Sequence, residues 1–499
     1  MSAIKRFRHN VTESDSTTLL VALAGVSFAV HMLVAGNYGY FRDELYYIAA
    51  GRHLQAGYVD HPLLMGWLAA LLRVTIGDSL VAIHIVPALA CALLIVITGL
   101  MAREMGGGRV AQVVAGAATM FSLNFIATGS LFSMDVLDQL WWALISLIVI
   151  RLLRQDAPRL WLVVGLVAAV ALLTKLTILF FGFALVLGLI VTPNRRYLRT
   201  RWLWLGGGIA FLGLLPYLIW NALNDWPTWE FWQEYGGVGT NPVAFFVAQI
   251  GQMNPIAFPL VVAGLIFYFR KPGAHYQLLG WTFIFSYLIL TLLGTKPYFL
   301  APAYPIAFAG GAIAFEQWAP RPRLAWIRPS YIALLVLCGI LLAPAVMPIL
   351  PLDTAIDIYG PLPQVLSDRL GWDSLTRKVE KVYADLPSAQ QKQVCILASN
   401  YGEAGALSQL AEPGNLPPII SGHNNYYLWG PGTCTGQVLI LVGYPPEDLK
   451  GIYASIVIAD TQRCPHCVSF EQNLPIIVAS DPVTPINVIQ RWPSVKHFD

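Results

Sequence analysis

Charge is what this 499-residue chain has least of. Asp, Glu, Lys and Arg make up 12% of it, against 56% hydrophobic residues. A soluble domain carries roughly 25% charged residues, so a soluble globular enzyme is excluded and a polytopic membrane protein fits. Other absences narrow the field further. The chain has no Gly-rich phosphate loop, since Gly106-Gly107-Gly108 reads as a turn between apolar runs. It has no Ser–His–Asp order, no basic stripe of the kind that tracks nucleic acid, no internal repeat, no low-complexity tract and no heptads. Lysine is almost missing from the apolar part, which makes Lys175 and Lys296 conspicuous. The net charge of +3 decides little, because its distribution matters more than its sum.

A spanning helix needs ~17–25 apolar residues. About eleven stretches qualify: 18–36, 80–102, 109–128, 136–153, 159–174, 176–192, 202–220, 255–269, 276–294, 298–317 and 330–350. The first is preceded by Lys5, Arg6 and Arg8, as a signal peptide would be. It is longer than the ~7–15 residues of a signal core and lacks a small-x-small cleavage site, so it reads as a retained span. Leu63 to Ile76 and Pro242 to Met253 are too short to cross and read as interfacial.

With the N-terminus inside, the inner connections collect Arg103, Arg109, Arg151, Arg154, Arg159, Arg195, Arg196, Arg199, Arg201, Arg270, Lys271, Arg321, Arg323 and Arg328. The carboxylates of Asp43, Glu44, Asp60, Asp78, Asp135, Asp138, Asp225, Glu230 and Glu234 fall outside. That asymmetry sets the orientation.

From Pro351 the composition turns mixed and polar. VCILAS, QVLILVG, SIVIAD and PIIVAS read as buried strands and Asp373 to Leu386 as a helix, which together predict a small α/β domain. The expected fold is therefore a polytopic α-helical membrane domain over 1–350, with an outer-face loop at 37–79, followed by an extracytoplasmic α/β domain over 351–499. Cys91 and Cys338 lie in apolar runs, and Cys395, Cys434, Cys464 and Cys467 in the polar part. Cys464-Pro465-His466-Cys467 has the spacing of a thiol oxidoreductase site but comes late in its domain, so a structural disulfide in an oxidising compartment is expected.

One stretch breaks the apolar pattern. In 38–62, YGYFRDELYYIAAGRHLQAGYVDHP, seven ionisable residues (Arg42, Asp43, Glu44, Arg52, His53, Asp60 and His61) sit among six aromatic ones. A spanning helix would not tolerate those charges, and a polar loop would not need those rings. The segment reads as ordered and surface-lying. Helical spacing puts Asp43 and Tyr47 on one face, with Arg42, Tyr46 and His53 on the next.

FRDELYYIAAGRHLQAGYVDHPLL resembles the first outer loop of the GT-C membrane glycosyltransferases related to dolichyl-phosphate-mannose–protein mannosyltransferases and lipid A aminoarabinose transferase. Asp43-Glu44 matches the family's Asp-Glu pair after the first span, and Asp60-His61-Pro62 its later acidic-basic-Pro point. The aminoarabinose transferases tend to carry Glu-Lys-Pro-Pro there, so this chain departs from them at the position that bears on the sugar. The stretch GTKPYFLAPAYP around Lys296 also resembles the family.

The resemblance implies a glycosyltransferase in the cell's inner (plasma) membrane that moves a sugar from a polyprenyl-phosphate donor to an acceptor hydroxyl at the outer face, with inversion. It assigns Asp43 as general base, with Glu44 and Asp60 positioning substrates. Asp135 falls at the family's second-loop acidic position. Read by residue type, Lys175 and Lys296 either snorkel at span ends or, with Arg42 and His61, hold the phosphate, and Tyr298 either anchors at the interface, the favoured reading, or stacks on sugar or lipid. The partners it implies are the lipid-linked sugar, membrane lipid and a lipid, glycan or protein acceptor. Cations suffice for a monophosphate leaving group, so no metal cofactor is expected. The Asp/Glu cluster could still bind a divalent ion.

Two other readings compete. A secondary transporter would gather its ionisable residues at the bilayer midplane between repeated halves. A scaffold that only displays its C-terminal domain would lose Asp43 without consequence.

Overall fold

The structure, a computed structural model, describes residues 16–235, 239–318, 326–484 and 488–499. Lys5, Arg6, Arg8, Arg321 and Arg323, which entered the charge argument, lie outside the described residues. The chain forms two compact units, and both are discontinuous in sequence. The first takes Met1–Ala35, His84–Ile219 and Gly236–Ile349; the second takes Gly36–Ile83, Trp220–Tyr235 and Leu350–Asp499.

The first unit is helical, and a helix stands at each of the eleven stretches picked out as apolar. This is a multi-pass membrane protein. Among the described residues, five helices are long and apolar enough to cross a membrane alone: Leu80–Glu104, Met134–Gln155, Arg201–Leu223, Pro297–Trp318 and Ile327–Ala345. The number rises to seven if two bent pairs each count as one span. Arg109–Met120 meets Leu123–Gly129 at 63°, and Ile178–Val191 meets the Pro193–Arg199 turn at 112°. Leu160–Leu172 and Phe258–Phe269 are shorter apolar helices of 13 and 12 residues.

Small residues let these helices approach closely. A Cβ added to Gly264 would fall 2.2 Å from the Ala307 carbonyl, and one on Gly311 2.0 Å from that of Leu260. Charges tie helix ends. Glu104 takes Arg151 Nε at 3.0 Å and Arg154 Nη1 at 2.5 Å. The Glu316 carboxylate accepts the N–H groups of Gly108, Val110 and Ala111 at 2.7, 3.0 and 3.2 Å, an anion at the open N-terminus of Arg109–Met120.

The second unit contains a five-stranded sheet of order β2-β1-β3-β5-β4. Its strands are β1 (Val394–Ala398), β2 (Ile419–Ser421), β3 (Val438–Val442), β4 (Tyr453–Arg463) and β5 (Asn473–Pro482). The first three run parallel, while β5 and β4 are antiparallel. The four strands expected from sequence are present, as is the helix, at Trp372–Ala384. The three-residue β2 was not expected, because so short a run leaves no alternation to read.

The stretch 36–83, which sequence attached to the membrane part as a loop, clusters with this domain. Its Arg42–Arg52 helix packs on two others. Gly51 meets Leu64–Thr75, where a Cβ would come 2.9 Å from the Ala70 nitrogen. Gly405 lets Tyr401–Leu410 approach until a Cβ there would lie 2.8 Å from Leu45 Cβ and 3.1 Å from the Leu45 backbone.

Candidate active site

The Arg42–Arg52 helix starts at Phe41, whose N–H donates to Glu44 Oε2 at 2.9 Å. Glu44 is fully buried, and its charge acts on the equally buried guanidinium of Arg369. The second acid of the Asp-Glu pair therefore holds the helix start and faces the interior. Asp43, one residue earlier, is only partly buried. Its Oδ1 accepts the Tyr401 hydroxyl at 2.9 Å. Burial is the largest influence on this carboxyl and pushes it up to about 6. Arg42 and the Tyr401 hydrogen bond pull the other way, and the charges of Asp368 and Asp60 add to the rise. A carboxylate that titrates there is a stronger base than an ordinary Asp and is still ionised at neutral pH.

Arg42 pairs with Asp368. Nη2 lies 2.9 and 2.8 Å from the two carboxylate oxygens, and the guanidinium stacks 4.5 Å over the Phe470 ring. It anchors the helix to the C-terminal segment.

Tyr401 stacks on Tyr46 at 4.7 Å. The Tyr46 hydroxyl stands 3.0 Å from both Asp60 Oδ1 and Asn425 Oδ1 and can donate to one of them at a time. Asn425 also accepts the Val59 N–H at 2.6 Å, which fixes the loop that carries Asp60. Asp60 stays partly accessible. His61 does not: it is fully buried against Tyr46, Tyr47 and Tyr58. Its Nδ1 faces the Pro62 carbonyl at 2.8 Å, while Nε2 is 3.9 Å from Asp60 Oδ1 and makes no hydrogen bond. Burial holds this imidazole neutral by lowering its pKa. His61 thus sits behind Asp60, enclosed by the three tyrosine rings.

Behind Tyr401 stands a second support. Its backbone N–H donates to His423 Nδ1 at 3.3 Å, which leaves the proton on Nε2, 3.0 Å from Asp499 Oδ1. Sequence reasoning missed Tyr401, His423, Asn425 and Asp368, which come from three to four hundred residues downstream of the site they serve. The available signal was Asn400-Tyr401-Gly402-Glu403, a capping box that marks a helix start at Tyr401, followed by the small residues at 402 and 405 that a close helix crossing needs.

The other predicted residues belong to the first unit. Lys175 is buried, with Nζ 2.5 Å from Asp135 Oδ1 and 4.5 and 5.6 Å from the rings of Phe299 and Tyr298. Asp138 accepts Thr177 Oγ1 at 2.6 Å and Trp142 Nε1 at 2.9 Å. Lys296 is partly exposed and begins the Pro297–Ala303 turn on which Tyr298 sits.

The family described as dolichyl-phosphate-mannose-protein mannosyltransferase matches residues 60–220, a span that holds Asp60, His61, Asp135 and Lys175 but not Asp43 or Lys296. Lipid A galacturonosyltransferase RgtD of Rhizobium johnstonii is 26% identical over 312 residues, or 60% of this chain. The match spans 65% of the length of that relative. The crystal structure of ArnT from Cupriavidus metallidurans bound to undecaprenyl phosphate superposes with a TM-score of 0.63 at 15% identity, covering 93% of this chain and 98% of ArnT. Its apo state gives 0.62 at 13%, with the same coverage. At such identities the likeness to ArnT is one of fold. The chain is thus similar in fold to ArnT, and in sequence to a lipid A galacturonosyltransferase and, over residues 60–220, to the protein mannosyltransferase family.

Proposed function

We propose that this protein transfers a sugar from a polyprenyl-phosphate donor to an acceptor hydroxyl at the outer face of the membrane, inverting the anomeric centre. The observation that carries the reading is Asp43, a partly accessible carboxylate with a raised pKa, aimed by Tyr401 and presented on a helix anchored at both Arg42 and Glu44. Asp43 takes the proton from the acceptor oxygen as that oxygen bonds to the anomeric carbon. The bond from that carbon to the phosphate oxygen breaks, and its electron pair leaves with the polyprenyl phosphate. Asp60 positions the sugar or the acceptor. Lys175 and Lys296 provide fixed cations for the departing phosphate, with Asp135 holding the Lys175 ammonium in place and Tyr298 offering a ring beside it. ArnT binds undecaprenyl phosphate and RgtD acts on lipid A, which supports a lipid-phosphate donor and makes a lipid-borne hydroxyl the first acceptor to test.

The test separates donor binding from transfer, using polyprenyl-phosphate hexose, pentose, aminopentose and uronic acid in turn. Asp43→Asn keeps size and hydrogen bonding but cannot accept a proton at neutral pH. Transfer should fall by ~10²–10⁴, the usual contribution of a positioned base, while donor binding survives. Near-normal transfer by this variant would remove Asp43 from the mechanism. Lys296→Ala should lower both donor affinity and transfer, because a phosphate partner acts in the ground state as well.

A further inference from the structure

Cys464-Pro465-His466-Cys467 has no part in the proposed transfer. It forms the turn between β4 and β5, where the Cys467 N–H donates to the Cys464 carbonyl at 3.1 Å and the two sulfurs are joined. The domain's other bridge, Cys395–Cys434, differs in every respect that governs exchange. Both its half-cystines are buried in the hydrophobic cluster beneath the sheet, and it closes a sequence separation of 39 residues. Cys464–Cys467 closes a separation of only three, so opening it returns little freedom to the unfolded chain. Cys464 is partly exposed, and Pro465 and His466 are exposed. Cys467 is buried and, with Leu362, His466 and Phe470, lines a cavity of about 430 Å³.

The surroundings of Cys467 also suit a departing sulfur. A Cβ on Gly371, the N-cap of the Trp372–Ala384 helix, would come 2.8 Å from Cys467 Sγ, and no side chain caps that helix end. Once protonated, the thiol can donate to the Leu370 carbonyl, 3.2 Å away.

We propose that Cys464–Cys467 is a thiol–disulfide exchange site whose substrate is an accessible thiol or dithiol presented at Cys464. The incoming thiolate bonds to Cys464 Sγ, the Cys464–Cys467 bond breaks, and its electron pair goes to Cys467. A second thiolate then attacks the substrate sulfur of the mixed disulfide and releases Cys464 as a thiolate. The substrate leaves oxidised, as a disulfide, and the two electrons stay on the protein as a dithiol after two protons are taken up.

The experiment uses the full chain and does not depend on sugar transfer. Cys91 and Cys338 are first blocked, then dithiothreitol is titrated under native conditions and newly freed thiols are alkylated and mapped. Cys464 and Cys467 should be labelled at a reductant concentration at least about tenfold below that needed for Cys395 and Cys434, with circular dichroism unchanged. In Cys467→Ser, Cys464 should form a mixed disulfide with oxidised glutathione. Opening of both bridges at one reductant concentration, or opening of Cys464–Cys467 only on unfolding, would overturn the proposal. So would a folded Cys467→Ser chain whose Cys464 stays unmodified. If that variant does not fold, the titration of the unaltered chain decides alone.

Discussion

The carboxyl of Asp43 carries two opposed demands. Burial favours its neutral form, so its contribution to stability is complete below the ordinary Asp range and is lost as pH rises through about 6. Catalysis needs the ionised form, which appears over that same interval. Transfer, followed as kcat/KM, should therefore climb with pH, reach half its maximum at about 6 and level above that. Tyr401→Phe removes a hydrogen bond that holds this carboxyl down, so the rise should shift to higher pH. A pH profile of Tyr401→Phe that overlies the native one would show that the tyrosine only packs. The same residue predicts a trade between folding and activity. Asp43→Asn should melt at higher temperature than the native protein at pH 8 and lose that advantage at pH 4, as thermal unfolding at the two pH values would reveal.

At the scale of helices and strands, the Arg42–Arg52 helix is positioned by glycines as much as by charges. Gly405→Val would drive a side chain into the Leu45 backbone. Overpacking of this kind costs about 1–3 kcal/mol, so the variant should unfold at lower temperature and transfer more slowly even where it folds. Gly402→Ala should lower both as well, because its Cβ would come 2.4 Å from Cγ of Arg42, a chain already held by Asp368 and Phe470.

These contacts also explain what could be read in the sequence. Apolar runs and β-branched runs are local patterns, and they located the helices, four of the five strands and the Trp372–Ala384 helix. Asp43 and Asp60 were legible because charge is so scarce around them. The contacts of Glu44, Arg42 and His61 were not legible, since a carboxylate that caps a helix and one that faces solvent look alike in a string of letters. Tyr401 and Asn425 were invisible, because their closeness to residues 43–60 depends on pairing across more than three hundred positions.

At the scale of the molecule, the proposed outer-face reaction requires the arginine-rich connections in the cytoplasm and the Leu350–Asp499 segment outside it. A reporter active only in the cytoplasm, fused after Asp499, should stay silent. A bright signal would reverse the orientation and remove an outer-face reaction.

The interleaving of the second unit has a consequence for how the protein is made. Gly36–Ile83 leaves the ribosome early, yet the segments that complete its unit include the last 150 residues. At 5–20 residues per second, roughly twenty seconds to more than a minute pass before Tyr401, His423, Asn425 and Asp499 have all emerged. Through that interval the aromatic, doubly acidic helix has Leu64–Thr75 beside it but waits for Tyr401–Leu410. Until that helix arrives, the face it will cover stands open to proteases and chaperones.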